Sequence, residues 1–132
     1  MKYNIGDKAD FSKTITESDI CQFASLTGDY NPLHINEEYA AKTRFGKRIA
    51  HGMLTSSFIC TVLGMKMPGE DTIHISQYLE FKKPVFIGDT ITVNLEITEI
   101  LEKGHLKISS IINNQNNDIV VNGYCVVKPP KK

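Results

Sequence analysis

HGMLTSSFICTVLGM, residues 51–65, decides the fold. Met53, Leu54, Phe58, Ile59, Val62 and Leu63 spread around most of a helical circumference. Beyond His51, the polar side chains are the small hydroxyls of Thr55, Ser56, Ser57 and Thr61. A helix without a charged face is buried, so the spacing predicts a central helix ending at Gly64 or near Pro68-Gly69. Downstream the period changes from helical to two. Ile73, Ile75, Leu79 and Phe81 alternate with His74, Ser76, Tyr78 and Glu80, and Ile91, Val93, Leu95 and Ile97 alternate with Thr92, Asn94, Glu96 and Thr98. Leu106 to Ile112 and Ile119 to Val127 read as two further strands, separated by the polar loop Asn113 to Asp118. Pro129 to Lys132 reads as a frayed end.

Upstream, Ala9, Phe11, Lys13 and Ile15 alternate as a short first strand. Thr16 and Asp19 form a capping-box pattern ahead of Ile20, Phe23, Ala24 and Thr27, which share one helical face. That helix should stop at Gly28, and a second short one should start at Asn36 and end near Gly46. The whole reads as α+β: an antiparallel sheet of about five strands wrapped around one buried helix, one domain over residues 1–132. A curved sheet of this size leaves a long edge open, and a homodimer that closes it is expected.

Fifteen Lys and Arg balance fifteen Asp and Glu, for a formal net charge of zero. That argues against a general electrostatic grip on nucleic acid. No apolar run approaches the ~18–20 residues of a membrane span. The N-terminus lacks the apolar core of a signal peptide, so a cytoplasmic, non-membrane protein is expected. Cys21, Cys60 and Cys125 are odd in number and widely spaced, and read as small buried residues in a reducing compartment.

Chemistry concentrates in Gly28-Asp29-Tyr30-Asn31-Pro32-Leu33-His34. Asp29 and His34 are five residues apart across a proline, which fits neither one helical face nor one strand face. A rigid turn aiming a carboxylate and an imidazole at one water would need such a spacing. The bland alternative is a turn-capping Asp29 and a surface His34. A second feature is His51-Gly52 at the start of the buried helix. The first helical N–H groups lack internal partners, and glycine admits a ligand to the backbone, so Gly52 N–H could bind a developing oxyanion. Equally, Gly52 could merely permit tight packing. His51 reads as a helix-start residue, and His74 and His105 as surface groups.

Together these segments resemble the MaoC-like (R)-specific enoyl-CoA hydratases, also called hydratase 2. The resemblance rests on the GDxNPxH core at 28–34, on His51-Gly52-Met53, and on the FxxPVxxGD stretch from Phe81 to Asp89; it runs from about Asp7 to Pro129. It implies a hot-dog fold with a helical overhanging segment, an acyl-CoA substrate and a homodimer. It further implies catalytic Asp29 and His34, an oxyanion donor at Gly52, and support from Asn31 and Ser57. Met53, Leu54 and Phe58 would line the acyl site. Lys82, Lys83, Lys47, Arg44 and Arg48 are candidates for the coenzyme A phosphates, against the plainer reading of a solvated basic face. No metal or redox cofactor is expected. The implied reaction is reversible (R)-specific hydration of a trans-2-enoyl thioester. The alternatives are a (3R)-hydroxyacyl-ACP dehydratase, another hot-dog acyl-thioester enzyme, or a non-catalytic acyl-thioester binder.

Overall fold

The structure is a computed structural model and describes residues 2–131; Lys132, at the end of the expected frayed segment, lies outside the described residues. Five strands form one antiparallel sheet, β1 (Lys8–Thr14), β2 (Ile73–Phe81), β3 (Thr90–Ile100), β4 (Leu106–Asn113) and β5 (Ile119–Lys128), in the order β1-β3-β4-β5-β2. The helices are α1 (Glu17–Thr27), α2 (Pro32–Ile35), α3 (Glu37–Ala41) and α4 (Gly52–Met65).

Alternation places Ile91, Val93, Leu95 and Ile97 of β3, Leu106, Ile108 and Ile112 of β4, and Val121, Cys125 and Val127 of β5 on the buried face. Leu54, Ile59, Val62 and Leu63 of α4 complete that core, so the sheet curls around the helix that lacks a charged face. This is the hot-dog arrangement.

The α1 capping box forms as expected. Thr16 Oγ1 accepts from Asp19 N, Asp19 Oδ2 accepts from Thr16 N, and Lys13 pairs with Asp19 at 3.0 Å. These donors, set against partial burial, hold the Asp19 carboxyl below its ordinary value. Gly28 ends the helix at φ 80°, a left-handed conformation that favours glycine.

Four expectations are corrected. A further short helix lies between the two expected ones: Pro32 opens α2, where its missing N–H costs nothing. α3 starts after Asn36 as expected but ends at Ala41, before Gly46. In β2 the register shifts between His74 and Ser76, and the strand lies at the sheet edge, so Ile73, Ile75 and Phe81 are exposed rather than forming a buried face. Of the cysteines, Cys125 is buried, with its thiol pushed up to about 11 by burial, but Cys21 and Cys60 are exposed on α1 and α4.

Candidate active site

Three short pieces of chain converge on Asp29 and His34. After Gly28, Asp29 N donates to Thr27 Oγ1 at 3.2 Å, and Asp29 Oδ1 accepts from Asn31 N at 3.2 Å. Asn31 then caps α2, its Oδ1 accepting from Leu33 N at 3.0 Å. The turn is therefore built from its own side chains, and α2 lifts His34 into a buried position. The surface-histidine alternative does not hold.

The segment just before α4 fixes His34 from the other side. His34 Nδ1 lies 2.8 Å from Ile49 O. A carbonyl can only accept, so Nδ1 carries the hydrogen and Nε2 presents a free lone pair. Burial pushes the His34 pKa down, opposed by the Ile49 bond; the neighbouring His51 lowers it further and Asp29 raises it. The net direction favours the neutral imidazole.

Arg48 is not part of a solvated basic face. It is buried, its Nε donates to His34 O at 2.7 Å, and its guanidinium pairs with Glu17 of α1 and, at 3.9 Å, with Glu37 of α3. It pins the backbone of the histidine rather than meeting solvent or a phosphate.

His51 takes the expected helix-start position before α4 but makes no side-chain capping bond; it is buried and stacked on His34, with ring centroids 3.9 Å apart and an interplanar angle of 27°. Its Nε2 lies 3.0 Å from Asp29 O, and Phe23 of α1 packs on it at 4.9 Å. Asp29, His34 and His51 bring ligand-type atoms within 4.8 Å of one another. His51 Nε2 carries the proton it gives to Asp29 O.

A cavity of about 420 Å³ opens beside this cluster. His34, Gly52, Met53, Thr55, Phe81 and Val85 are among its walls, and Arg44, Lys82 and Lys83 add positive charge. Gly52 begins α4, so its N–H has no partner within the helix. A Cβ there would lie 2.7 Å from Cε1 and 2.8 Å from Cδ1 of Phe81. The packing reading of this glycine holds, since a side chain there would meet the Phe81 ring; Gly52 also lines the cavity.

The other expected residues divide. Met53 shares the cavity with His34 and Gly52. Leu54, Ser57 and Phe58 line a separate hollow against Phe23 and Leu26 of α1, and Ser57 Oγ donates to Leu54 O at 2.6 Å. Lys47 lies over the Phe86 ring at 4.4 Å. The sequence offers no site role for His51 or Phe81, and the phosphate role expected of Arg48 is replaced by its bonds to His34 O, Glu17 and Glu37. The available signal was that His51 adjoins Gly52 and Phe81 opens the FxxPVxxGD stretch.

A buried helix inside an antiparallel sheet, with an Asp/His turn facing its N-terminus, defines the class. The chain belongs to the MaoC-like domain family, whose sequence pattern matches residues 2–121. It is 42% identical over 127 residues to an (R)-specific enoyl-CoA hydratase of Rhodospirillum rubrum, covering 96% of this chain and 88% of the relative. It is 42% identical over 120 residues to a 3-hydroxybutyryl-CoA dehydratase of Methylorubrum extorquens, covering 91% and 76%. Among solved structures, the (R)-hydratase of Aeromonas caviae involved in PHA biosynthesis superposes with a TM-score of 0.94 at 38% identity, covering 97% of this chain and 98% of that one.

Proposed function

We propose that this chain, acting as one domain over residues 1–132, hydrates trans-2-enoyl-CoA reversibly to (R)-3-hydroxyacyl-CoA. The observation that carries this reading is the free Nε2 of a neutral, buried His34 set beside Asp29 and a cavity that Gly52 also lines. Similarity to an (R)-specific hydratase over nearly the full length supports it.

In this reading Asp29 and His34 Nε2 hold one water. Its oxygen bonds to C3 while His34 takes a proton, and the C2–C3 π electrons move toward the thioester. The resulting oxyanion meets Gly52 N–H. As it collapses, C2 takes the proton from the imidazolium, so atoms and charge balance without metal or redox cofactor. Each acid/base role is worth roughly 10²–10⁴ in rate. One oxyanion donor is worth roughly 10²–10³. Asn31 supports the turn, and Met53 meets the acyl thioester. Ser57 steadies the first turns of α4 through Leu54 O, and Leu54 and Phe58 flank the acyl region from the α1 side. Arg44, Lys82 and Lys83 are placed for the coenzyme A phosphates.

Among the described residues no helix is long and apolar enough to cross a membrane. We place the protein in the cytoplasm, without nucleic-acid or membrane partners, as a homodimer. β2 supports the last point: it has one pairing neighbour, β5, and exposes Ile73 and Ile75 at 57% and 48%. Sedimentation velocity should return the mass of two chains; the mass of one chain contradicts the dimer.

Loss of enoyl absorbance with crotonyl-CoA tests the activity. A neutral His34 is the working base, and falling pH protonates it. Because its pKa is lowered, kcat/KM should hold below the ordinary imidazole value of about 6.5 before it declines. Absent hydration, or release of free thiol instead, contradicts the reading. Faster turnover of a crotonyl-carrier-protein thioester would favour the dehydratase alternative.

A further inference from the structure

Two imidazoles, not one, occupy the catalytic cluster, and the hydration reaction as derived uses only His34. His51 is 2% exposed and sits at the α4 N-terminus, yet its ring makes no capping bond to the helix it begins. Its contacts run instead to the two catalytic residues. Nε2–H donates to Asp29 O at 3.0 Å, and the ring face lies on His34 at 3.9 Å. Nδ1 is buried with no hydrogen-bond partner among the described residues. A buried polar atom left unpaired costs free energy that an apolar ring of the same shape would avoid. Packing alone would favour phenylalanine here.

Asp29 and His34 belong to opposite ends of one turn, and their bonds to each other's backbone are indirect, through Asn31. The bonds of Arg48 and Ile49 run to His34. His51 alone among these residues grips both. We propose that His51 is a positioning residue for the hydration reaction: a buried imidazole that holds Asp29 by its carbonyl and His34 by its ring face, fixing the separation of the pair. The proposal rests on the hydratase reading above.

It also carries an electrostatic consequence. Stacked imidazoles repel when both are charged, and His51 helps to lower the His34 pKa. The other charged groups facing the pair are Asp29 after α1, Arg48 with its partners Glu17 of α1 and Glu37 of α3, and the cavity-lining Arg44, Lys82 and Lys83. Substituting residue 51 removes none of these charges, and of them Asp29 is the one that His51 itself holds.

His51→Phe keeps the stacked ring and removes the donor to Asp29. His51→Gln offers a donor and removes the ring. His51→Phe should lower kcat by ~10²-fold with KM near the wild-type value, the signature of misplaced catalytic groups rather than lost binding. The acid limb of its pH profile should also move to higher pH, because the second titratable ring is gone. His51→Gln should recover part of kcat. Thermal unfolding separates either effect from loss of the fold, and NMR titration of His34 in the unliganded protein reads the same coupling without turnover. A wild-type enzyme that fails to hydrate crotonyl-CoA overturns the hydratase reading, while the His34 titration still tests the stack. Wild-type kcat and an unmoved His34 titration in folded His51→Phe would overturn the proposal. If His51→Phe does not fold, a folded His51→Gln with wild-type kcat and an unmoved titration overturns it equally.

Discussion

Asp29→Asn is expected to reduce kcat/KM with crotonyl-CoA by about 10²–10⁴ while leaving the fold intact. The substitution keeps the shape of the side chain and an oxygen that can accept from Asn31 N, the bond that Asp29 Oδ1 now makes at 3.2 Å. What it removes is the negative charge and the second acceptor for a water shared with His34. His34→Ala should lose activity on the same scale, but with a cost in stability as well. Ile49 O would lose the Nδ1–H donor at 2.8 Å, a part-buried hydrogen bond worth about 0.5–1.5 kcal/mol. The two variants thus differ in melting temperature while matching in lost activity. Steady-state kinetics with parallel thermal unfolding checks both. Residual activity near wild type in either folded variant would remove that residue from the mechanism.

Gly123→Ala is expected to be the most damaging single methyl addition in the sheet. Gly123 lies in β5 opposite Leu79 of β2. A Cβ there would sit 2.0 Å from Tyr78 O and 3.0 Å from Tyr78 C, both backbone atoms that cannot rotate aside. The two strands would have to separate or shift register. Overpacking of this kind costs about 3 kcal/mol. For a chain of this length that corresponds to a fall of roughly 10 °C in melting temperature. Activity should fall too, because β2 ends at Phe81, whose ring packs on Gly52 at the start of α4. Circular-dichroism melting decides the matter. An unchanged midpoint would mean that β2 and β5 are not apposed as described.

These two cases mark what the sequence makes legible. α4 was readable because residues 52–65 carry no charge and its inner face, Leu54, Ile59, Val62 and Leu63, is buried, although Met53, Ser57, Cys60 and Met65 are exposed, so the expected all-round burial holds for one face only. The inward faces of β3, β4 and β5 were readable because both neighbours of each strand are strands, so the period of two holds along most of their length, broken near Glu99, Asn113 and Val120. β2 was not, because an edge strand can expose both faces and its register slips between His74 and Ser76. The turn that gathers Asp29, Asn31 and His34, and the place of Gly52 at a helix start, were legible because local chemistry sets both. The roles of Arg48 and His51 were not. Each depends on 14 to 31 residues of sequence separation closing in space, as between Arg48 and His34 or Glu17. A buried arginine and a solvated one look the same in a sequence, and so do a stacked histidine and a capping one.

The handedness of the hydrated product tests the central claim most directly. Crotonyl-CoA would be incubated with the wild-type protein and the product offered to an (R)-specific 3-hydroxybutyryl-CoA dehydrogenase. The Asp29/His34 site predicts quantitative oxidation of the product, formed about 10²–10⁴-fold more slowly by Asp29→Asn. Formation of the (S) product, or undiminished hydration by Asp29→Asn, would contradict it.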